Sequence, residues 1–493
     1  MVPVRIEPSE MKNHYANYIG GAWSDGMSWI ENRSPSDESD LIGLYAQASK
    51  EEVDTALESA AVAQRAWAQV GLEKRYAVLM AIGVELGARS RELGMLLSRE
   101  EGKPLVEGIG EVQRAGQFFT YSAAEVMRQI GDHADSVRDG VEIDVRREPL
   151  GVVAVISPWN FPLATASWKI APALAYGNSV VWKPANLTPA SAWALTEIIS
   201  RQEIPKGLVN LIMGPGASIG QKLAESPRVQ GITFTGSLEV GKQVAGAAAV
   251  NLTKLQLEMG SKNPLLVMDD ADLALATNIA VNGAFGGSGQ KCTASSRIIV
   301  HSRVYDSFVD RFVSAAQAIR VGHALEPETQ MGPVVSAGQL AGNLDYIRLA
   351  RSEGVEIACG GARLERPMVG YYMSPSVLLN TRNDMRLNRE EMFAPIACVI
   401  RSDSYEQSLE IANDTPFGLT AGIVTRSLAR ASHFRRHSKS GCVMVNLPTA
   451  GTDYHVPFGG RGASSYGPRE QGQYAAEFYT QVKTSYTQAG APE

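Results

Sequence analysis

Cysteine is scarce: 493 residues hold four, at 292, 359, 398 and 442. They lie far apart and none forms a Cys-x-x-Cys pair. No disulfide framework is expected, and a reducing, cytoplasmic setting is. The seven histidines make no ligand-spaced cluster, so no metal site is expected. A dominant charge is also missing. The net charge is −6, with no long block of one sign, which argues against a nucleic-acid or membrane-surface partner. No apolar run reaches the roughly 18 residues that a spanning helix needs. Met1–Pro8 is not a basic segment followed by an apolar one, so no signal peptide is expected. The remaining composition is that of an ordinary globular protein, in a chain too long for one core. About two or three domains are expected.

Against that scarcity, one cysteine has unusual neighbours. Gly286-Gly287-Ser288-Gly289-Gln290-Lys291-Cys292 places it behind a run of small, flexible residues. Glycine tolerates strained angles and lets the backbone approach a ligand. A thiol there is reachable; the plainer alternative is a buried apolar filler.

Helical spacing dominates residues 50 to 130: Ser49 is a candidate cap before Glu51-Glu52-Val53, and apolar periodicity runs through Leu79–Leu97 and Glu111–Met127. Val141–Arg146 alternates strictly and, behind Asp139-Gly140, reads as one arm of a hairpin. Phe478–Thr484 is a candidate third strand for it. From residue 151 the pattern is buried strand, loop, helix, repeated: Val152–Ile156, Ser179–Trp182, Val209–Met213 and Gly231–Thr235 are the strands. Such alternation predicts an α/β fold with a parallel sheet covered on both faces, and ligands bind at the carboxyl ends of such strands. A second α/β unit begins near Asn263.

Gly236-Ser237-Leu238-Glu239-Val240-Gly241-Lys242-Gln243 nearly spells a P-loop, but Gln243 replaces the Ser or Thr that would hold Mg²⁺. A helix N-terminus able to receive a phosphate is the safer reading. Gly214-Pro215-Gly216 is similar. Asn160 lies in the stiff Pro158-Trp159-Asn160-Phe161-Pro162, where a fixed amide can hold a developing oxyanion; the alternative is an Asx-turn. Glu258, after Leu255-Gln256-Leu257, is poised for base work if buried, and otherwise is a surface glutamate. Lys183 is a candidate for ribose hydroxyls or simply a solvated lysine. Glu391 is a candidate of the same kind or plain surface charge.

Taken in order, these residues resemble the aldehyde dehydrogenase superfamily from about Tyr18 to Tyr486, and Cys292 follows Glu258 by the family's 34 residues. The resemblance implies a Rossmann-like cofactor domain (1–128 and 149–260), an α/β catalytic domain (261–460) and a β-flap for oligomerisation (129–148 and 470–493), in a self-associating dimer or tetramer. It implies Cys292 as nucleophile, Asn160 with the Cys292 N–H as oxyanion hole, Glu258 as general base and Lys169 in support. NAD or NADP would meet Pro158, Trp159, Lys183, Asn186, Gly216, Gly236, Ser237, Met259, Glu391 and Phe393. Many members carry glutamate where Asn186 stands; neutral Asn186 removes a repulsion of the 2′-phosphate, so NADP is expected to be accepted beside NAD.

The C-terminal text, Asn446–Gly460 followed by Ser464–Gly472, resembles the 2-oxoglutarate semialdehyde (2,5-dioxovalerate) dehydrogenases. The expected substrate is that small anionic aldehyde, with succinic semialdehyde or another small aldehyde as the alternative. Phe161, Trp168 and Phe458 are expected pocket walls. Lys291 either attracts a substrate carboxylate or points away into solvent. Two further alternatives stand: a catalytically silent binding protein on the same fold, and a CoA-acylating enzyme, against which Glu258 speaks.

Overall fold

Ser49 starts the first helix by a reciprocal bond. Its hydroxyl accepts from Glu52 N–H at 3.1 Å, and the Glu52 carboxylate accepts from Ser49 N–H at 2.8 Å. Helix α1 (Lys50–Ala68) follows in the computed structural model, which describes residues 13–490. Met1–Pro8, read above for a signal, lies outside those residues, as does the last of the expected flap, 491–493. The periodicity from Leu79 to Leu97 is two helices. Helix α2 (Leu72–Ala88) stops at Arg89, and α3 (Ser90–Glu101) begins at once. The spacing reads through the break because Leu79, Ile82, Leu86, Leu93 and Leu97 enter one core. Gly102, at φ +98°, ends α3 in the left-handed cap that glycine favours. Helix α4 (Leu105–Val126) then runs the length of this layer.

The central strands are buried along their whole length. Val153 and Val155 face the core built with α2 to α4, while Val152, Ala154 and Ile156 face a second core with α1. Two-sided burial explains their unbroken apolar text. An eight-stranded sheet results, in the order Ser465–Tyr466, Lys254–Glu258, Gly231–Thr235, Val152–Ile156, Ser179–Lys183, Val209–Leu211, Asn17–Ile19 and Ala22–Ser24. Its middle strands are parallel, and both edges are closed by antiparallel strands from distant parts of the chain. A second sheet has seven strands, with Ser295–His301 and Asn263–Val267 near its centre. Val141–Pro149 is the middle of a third sheet, between Asp132–Asp135 and Thr480–Gln488.

Two details depart from the sequence reading. Phe478 and Tyr479 end a short helix, Ala475–Tyr479, instead of opening the last strand, because both rings are buried in the first core. The polar N-terminal strands between 14 and 47 were not anticipated. Among the described residues no helix is long and apolar enough to cross a membrane.

Candidate active site

Most of the candidates sit where a strand or helix gives way to a loop. Val152–Ile156 runs into Pro158-Trp159-Asn160-Phe161, and Phe161 leads to α5 (Ala164–Ala175). Glu258 is the last residue of its strand. Cys292 lies between helix Leu273–Phe285 and strand Ser295–His301. The turn before it holds three successive left-handed residues, Gly287, Ser288 and Gly289, at φ +61°, +59° and +69°. Ser288 is strained there and is tied down by its hydroxyl, which donates to the carbonyls of Gly332 (2.9 Å) and Pro333 (3.2 Å). Any side chain at Gly289 would meet the Ala394 carbonyl. The glycines are therefore what lets the thiol loop lie against its neighbour.

These loops enclose one cavity of about 230 Å³ that brings together Cys292, Asn160 and Glu258. Asn160 is buried, and its Nδ2 donates to the Gln290 carbonyl at 2.9 Å. An amide nitrogen has two protons, so one remains for a second acceptor. Glu258 is 3% exposed and accepts from the Ser465 hydroxyl at 2.6 Å. Burial first, and then the nearby Glu470 carboxylate, hold Glu258 well above the ordinary glutamate range; the Ser465 bond opposes them. Burial also pushes the Cys292 thiol far up, reinforced by Glu391, Glu258 and Glu470 and opposed by its own backbone N–H. In this state both groups favour their neutral forms. Asn263 fixes the nucleophile's main chain, donating to the carbonyls of Cys292 (2.7 Å) and Ala294 (2.9 Å).

One side of the cavity is apolar: Phe161, Trp168 and Phe458 line it, with Trp168 and Phe458 in contact at 5.6 Å between ring centres. Pro158, Trp159, Gly236, Ser237, Met259, Glu391 and Phe393 line the rest. The Phe393 backbone is left-handed, at φ +54°, and its ring meets Trp159 edge-on at 5.4 Å. Glu391 accepts from Ser261 N–H at 2.8 Å, and burial pushes its carboxyl up to about 7. A side chain at Gly260 would collide with that carboxylate. Ser237 caps helix Leu238–Ala249.

Lys183 and Asn186 stand further out, at the end of strand Ser179–Lys183 and just beyond it. Lys183 is buried, bonds only the Pro184 carbonyl at 2.7 Å among the described residues, and is pushed down to about 8 by burial. Asn186 Oδ1 and Thr235 Oγ1 are buried without a protein partner among the described residues. Gly216 begins a short helical turn whose later Gly220 lies against the Lys183 side chain. An unpaired buried ammonium and orphaned acceptors at strand ends fit a polar ligand that reaches the cavity from this side.

Beside Lys183, Asn186 and Gly216, two more expected site residues do not line the cavity. Lys169 is fully buried behind it, pairing with Glu470 and donating to Thr233 Oγ1 at 2.9 Å. Lys291 neither faces the cavity nor extends into solvent; its ammonium pairs with Glu107 at 2.9 Å.

The chain matches the sequence profile of the Aldehyde dehydrogenase family over residues 23–485. It belongs to the aldehyde dehydrogenase family. It is an oxidoreductase acting on aldehydes. An alpha-ketoglutaric semialdehyde dehydrogenase of Bacillus subtilis is 40% identical over 96% of this chain and 98% of the relative. A 2,5-dioxopentanoate dehydrogenase of Saccharolobus solfataricus is 36% identical over 92% of this chain and 95% of the relative. A crystal structure of betaine aldehyde dehydrogenase from Staphylococcus aureus in complex with NAD⁺ superposes with a TM-score of 0.95, at 32% identity, covering 98% of this chain and 96% of that one.

This aldehyde dehydrogenase also gathers residues that the motif reading missed. Ser465 and Glu470 reach Glu258 from the far end of the chain, and Asn263 holds the Cys292 carbonyl. Glu107 reaches the thiol loop from α4. Ser465 and Glu470 lay in the C-terminal text already singled out and Asn263 at the start of the second unit, but none carried a sign of this role; Glu107 was marked by nothing.

Proposed function

We propose that the protein oxidises 2-oxoglutarate semialdehyde to 2-oxoglutarate with NAD or NADP. The observation that carries the chemistry is the gathering of Cys292, Asn160 and Glu258 around one cavity. The names of the Bacillus and Saccharolobus relatives support the substrate, and the NAD⁺ complex of the Staphylococcus neighbour supports the cofactor.

Cys292 Sγ attacks the aldehyde carbon as thiolate, its proton passing to Glu258, whose raised affinity suits a base. A carbon–sulfur bond forms, and the carbonyl oxygen takes the negative charge. Asn160 donates its free amide proton to that oxygen, a contribution of roughly 3 kcal/mol in comparable sites. A bound nicotinamide supplies the acceptor for the hydride that leaves the same carbon. The product on Cys292 is a thioester. Glu258, once it has given the thiol proton up to solvent, takes a proton from water, water adds to the thioester carbon, and the carbon–sulfur bond breaks to release the carboxylic acid and the thiolate. Lys183, Asn186, Ser237, Glu391 and Phe393 would hold the cofactor, and Lys169 would hold Glu470 in place by pairing with it.

The first sheet is the cofactor-binding unit in this reading, the second the catalytic unit, and the third, with exposed Val482 and Tyr486, the surface for a dimer or tetramer. A cytoplasmic setting suits a thiol that must stay reduced.

The test is NAD(P)H formation with 2-oxoglutarate semialdehyde and succinic semialdehyde side by side, on wild type and Cys292→Ala. The oxo-acid is expected to win by about tenfold or more in kcat/KM, with the variant inactive. Oxidation of another aldehyde alone would refute the substrate and keep the mechanism.

A further inference from the structure

The start of α4 carries buried charges that no strand-end motif accounts for. Lys103 is 3% exposed. Its Nζ donates to the main-chain oxygen of Asn160 at 2.6 Å and to Glu111 at 2.7 Å, lies 3.8 Å from Glu101, and sits 4.1 Å above the Phe161 ring centre. Glu111 continues the tie: its other oxygen accepts from Leu163 N–H (2.9 Å) and Ala164 N–H (3.1 Å), where α5 begins. The loop bearing Asn160 is thus held at its amide residue and at its end.

Four residues before Glu111, on the same face of α4, Glu107 turns to the other loop. One oxygen accepts from Gly287 N–H at 3.1 Å, and the other pairs with Lys291, the neighbour of Cys292, at 2.9 Å. Gly287 is the first of the three left-handed residues and directly precedes Ser288, the strained one, whose conformation persists only when its surroundings over-determine it. The two loops also join directly through Asn160 Nδ2 and the Gln290 carbonyl. Buried ion pairs are weak sources of stability, since an apolar cluster of the same volume does as well. Fixed directions are what this set supplies that an apolar cluster does not.

We propose that Lys103 and Glu107 are positioning residues that set the Asn160 amide against Cys292 by holding both loops to the start of α4. The proposal rests on the roles given above to Asn160 and Cys292. Glu111 acts with Lys103, and neither touches the cavity.

The test measures kcat for Lys103→Met and Glu107→Ala, each alone and combined with Asn160→Ala, beside NAD(P) affinity by fluorescence titration. Each single change is expected to lower kcat by about tenfold or more, since misplacement by an ångström reaches a hundredfold. Cofactor affinity should stay within about twofold, and once Asn160 is gone each change should cost less than about twofold further. Losses that multiply in the double variants, or cofactor affinity that falls in step with kcat, would overturn the proposal. Glu107 is 27% exposed, so Glu107→Ala keeps the test decisive if Lys103→Met fails to fold. Asn160→Ala at wild-type kcat would sink the reading of Asn160 and this proposal with it; multiplying losses sink this proposal alone.

Discussion

Ser465→Ala should move the acid limb of thioester hydrolysis to higher pH. The Ser465 hydroxyl accepts from Gly460 N–H at 2.6 Å, which leaves its own proton for Glu258, also at 2.6 Å. That bond favours the carboxylate and is the first-ranked influence opposing burial and Glu470. A hydrogen bond to a charged group contributes about 1.5–3 kcal/mol, and one pH unit corresponds to about 1.4 kcal/mol, so the limb should rise by about 1–2 units. Glu258 is buried, so solvent screening takes little from this figure. The sign follows from the mechanism: Glu258 works as base only when deprotonated, and losing its donor makes deprotonation harder. The assay is the deacylation rate by rapid quench across pH 5 to 10, with Ser465→Thr as the control that keeps the hydroxyl. A limb that stays put in Ser465→Ala, or moves to lower pH, would refute the reasoning.

Glu258→Gln should raise Tm at pH 8 by about 2 °C or more and leave it little changed at pH 5. The folded-state pKa of Glu258 lies above the unfolded value, so its contribution to stability is fully present below the unfolded pKa and is lost as pH rises through the folded one. Glutamine keeps the neutral form throughout, and scanning calorimetry at both pH values checks this. Asn186→Glu should raise the KM for NADP by about tenfold while leaving that for NAD within a factor of two, because a carboxylate near the 2′-phosphate costs about 1–2 kcal/mol; steady-state kinetics with both cofactors decides it. Gly260→Ala should raise the KM for NAD(P) by about tenfold, since its methyl displaces the Glu391 carboxylate from Ser261 N–H. Unchanged cofactor KM would show that Glu391 is dispensable.

Much of the first sheet was readable because strands buried on both faces carry unbroken apolar runs, as Val152–Ile156 does throughout and Ser179–Lys183 does at its centre. The loops after them were readable because proline and glycine mark stiff turns and close approaches. Burial of Glu258 was not: a glutamate after an apolar run has the same letters whether or not Ser465–Tyr466 returns to cover the edge of its strand. Lys291 shows the same limit. Beside Cys292 in sequence, it is turned toward α4 by Glu107, a partner 184 residues earlier in the chain. The break at Arg89 stayed hidden because both helices share one core, and N-terminal strands such as Ala22–Ser24 and Ser28–Ser34 because they lie at sheet edges, where few apolar residues are needed. Nothing in the sequence around Lys103 and Glu111 marks them as buried, yet they bury one another.

The account turns on a thioester at Cys292 that Glu258 resolves. Intact-protein mass spectrometry of Glu258→Gln, mixed with NAD(P) and 2-oxoglutarate semialdehyde, tests this most directly. An acyl adduct confined to Cys292, formed with one equivalent of NAD(P)H and persisting for minutes, is the expected result. NAD(P)H formed at the wild-type rate with no adduct, or an adduct on another residue, would contradict it.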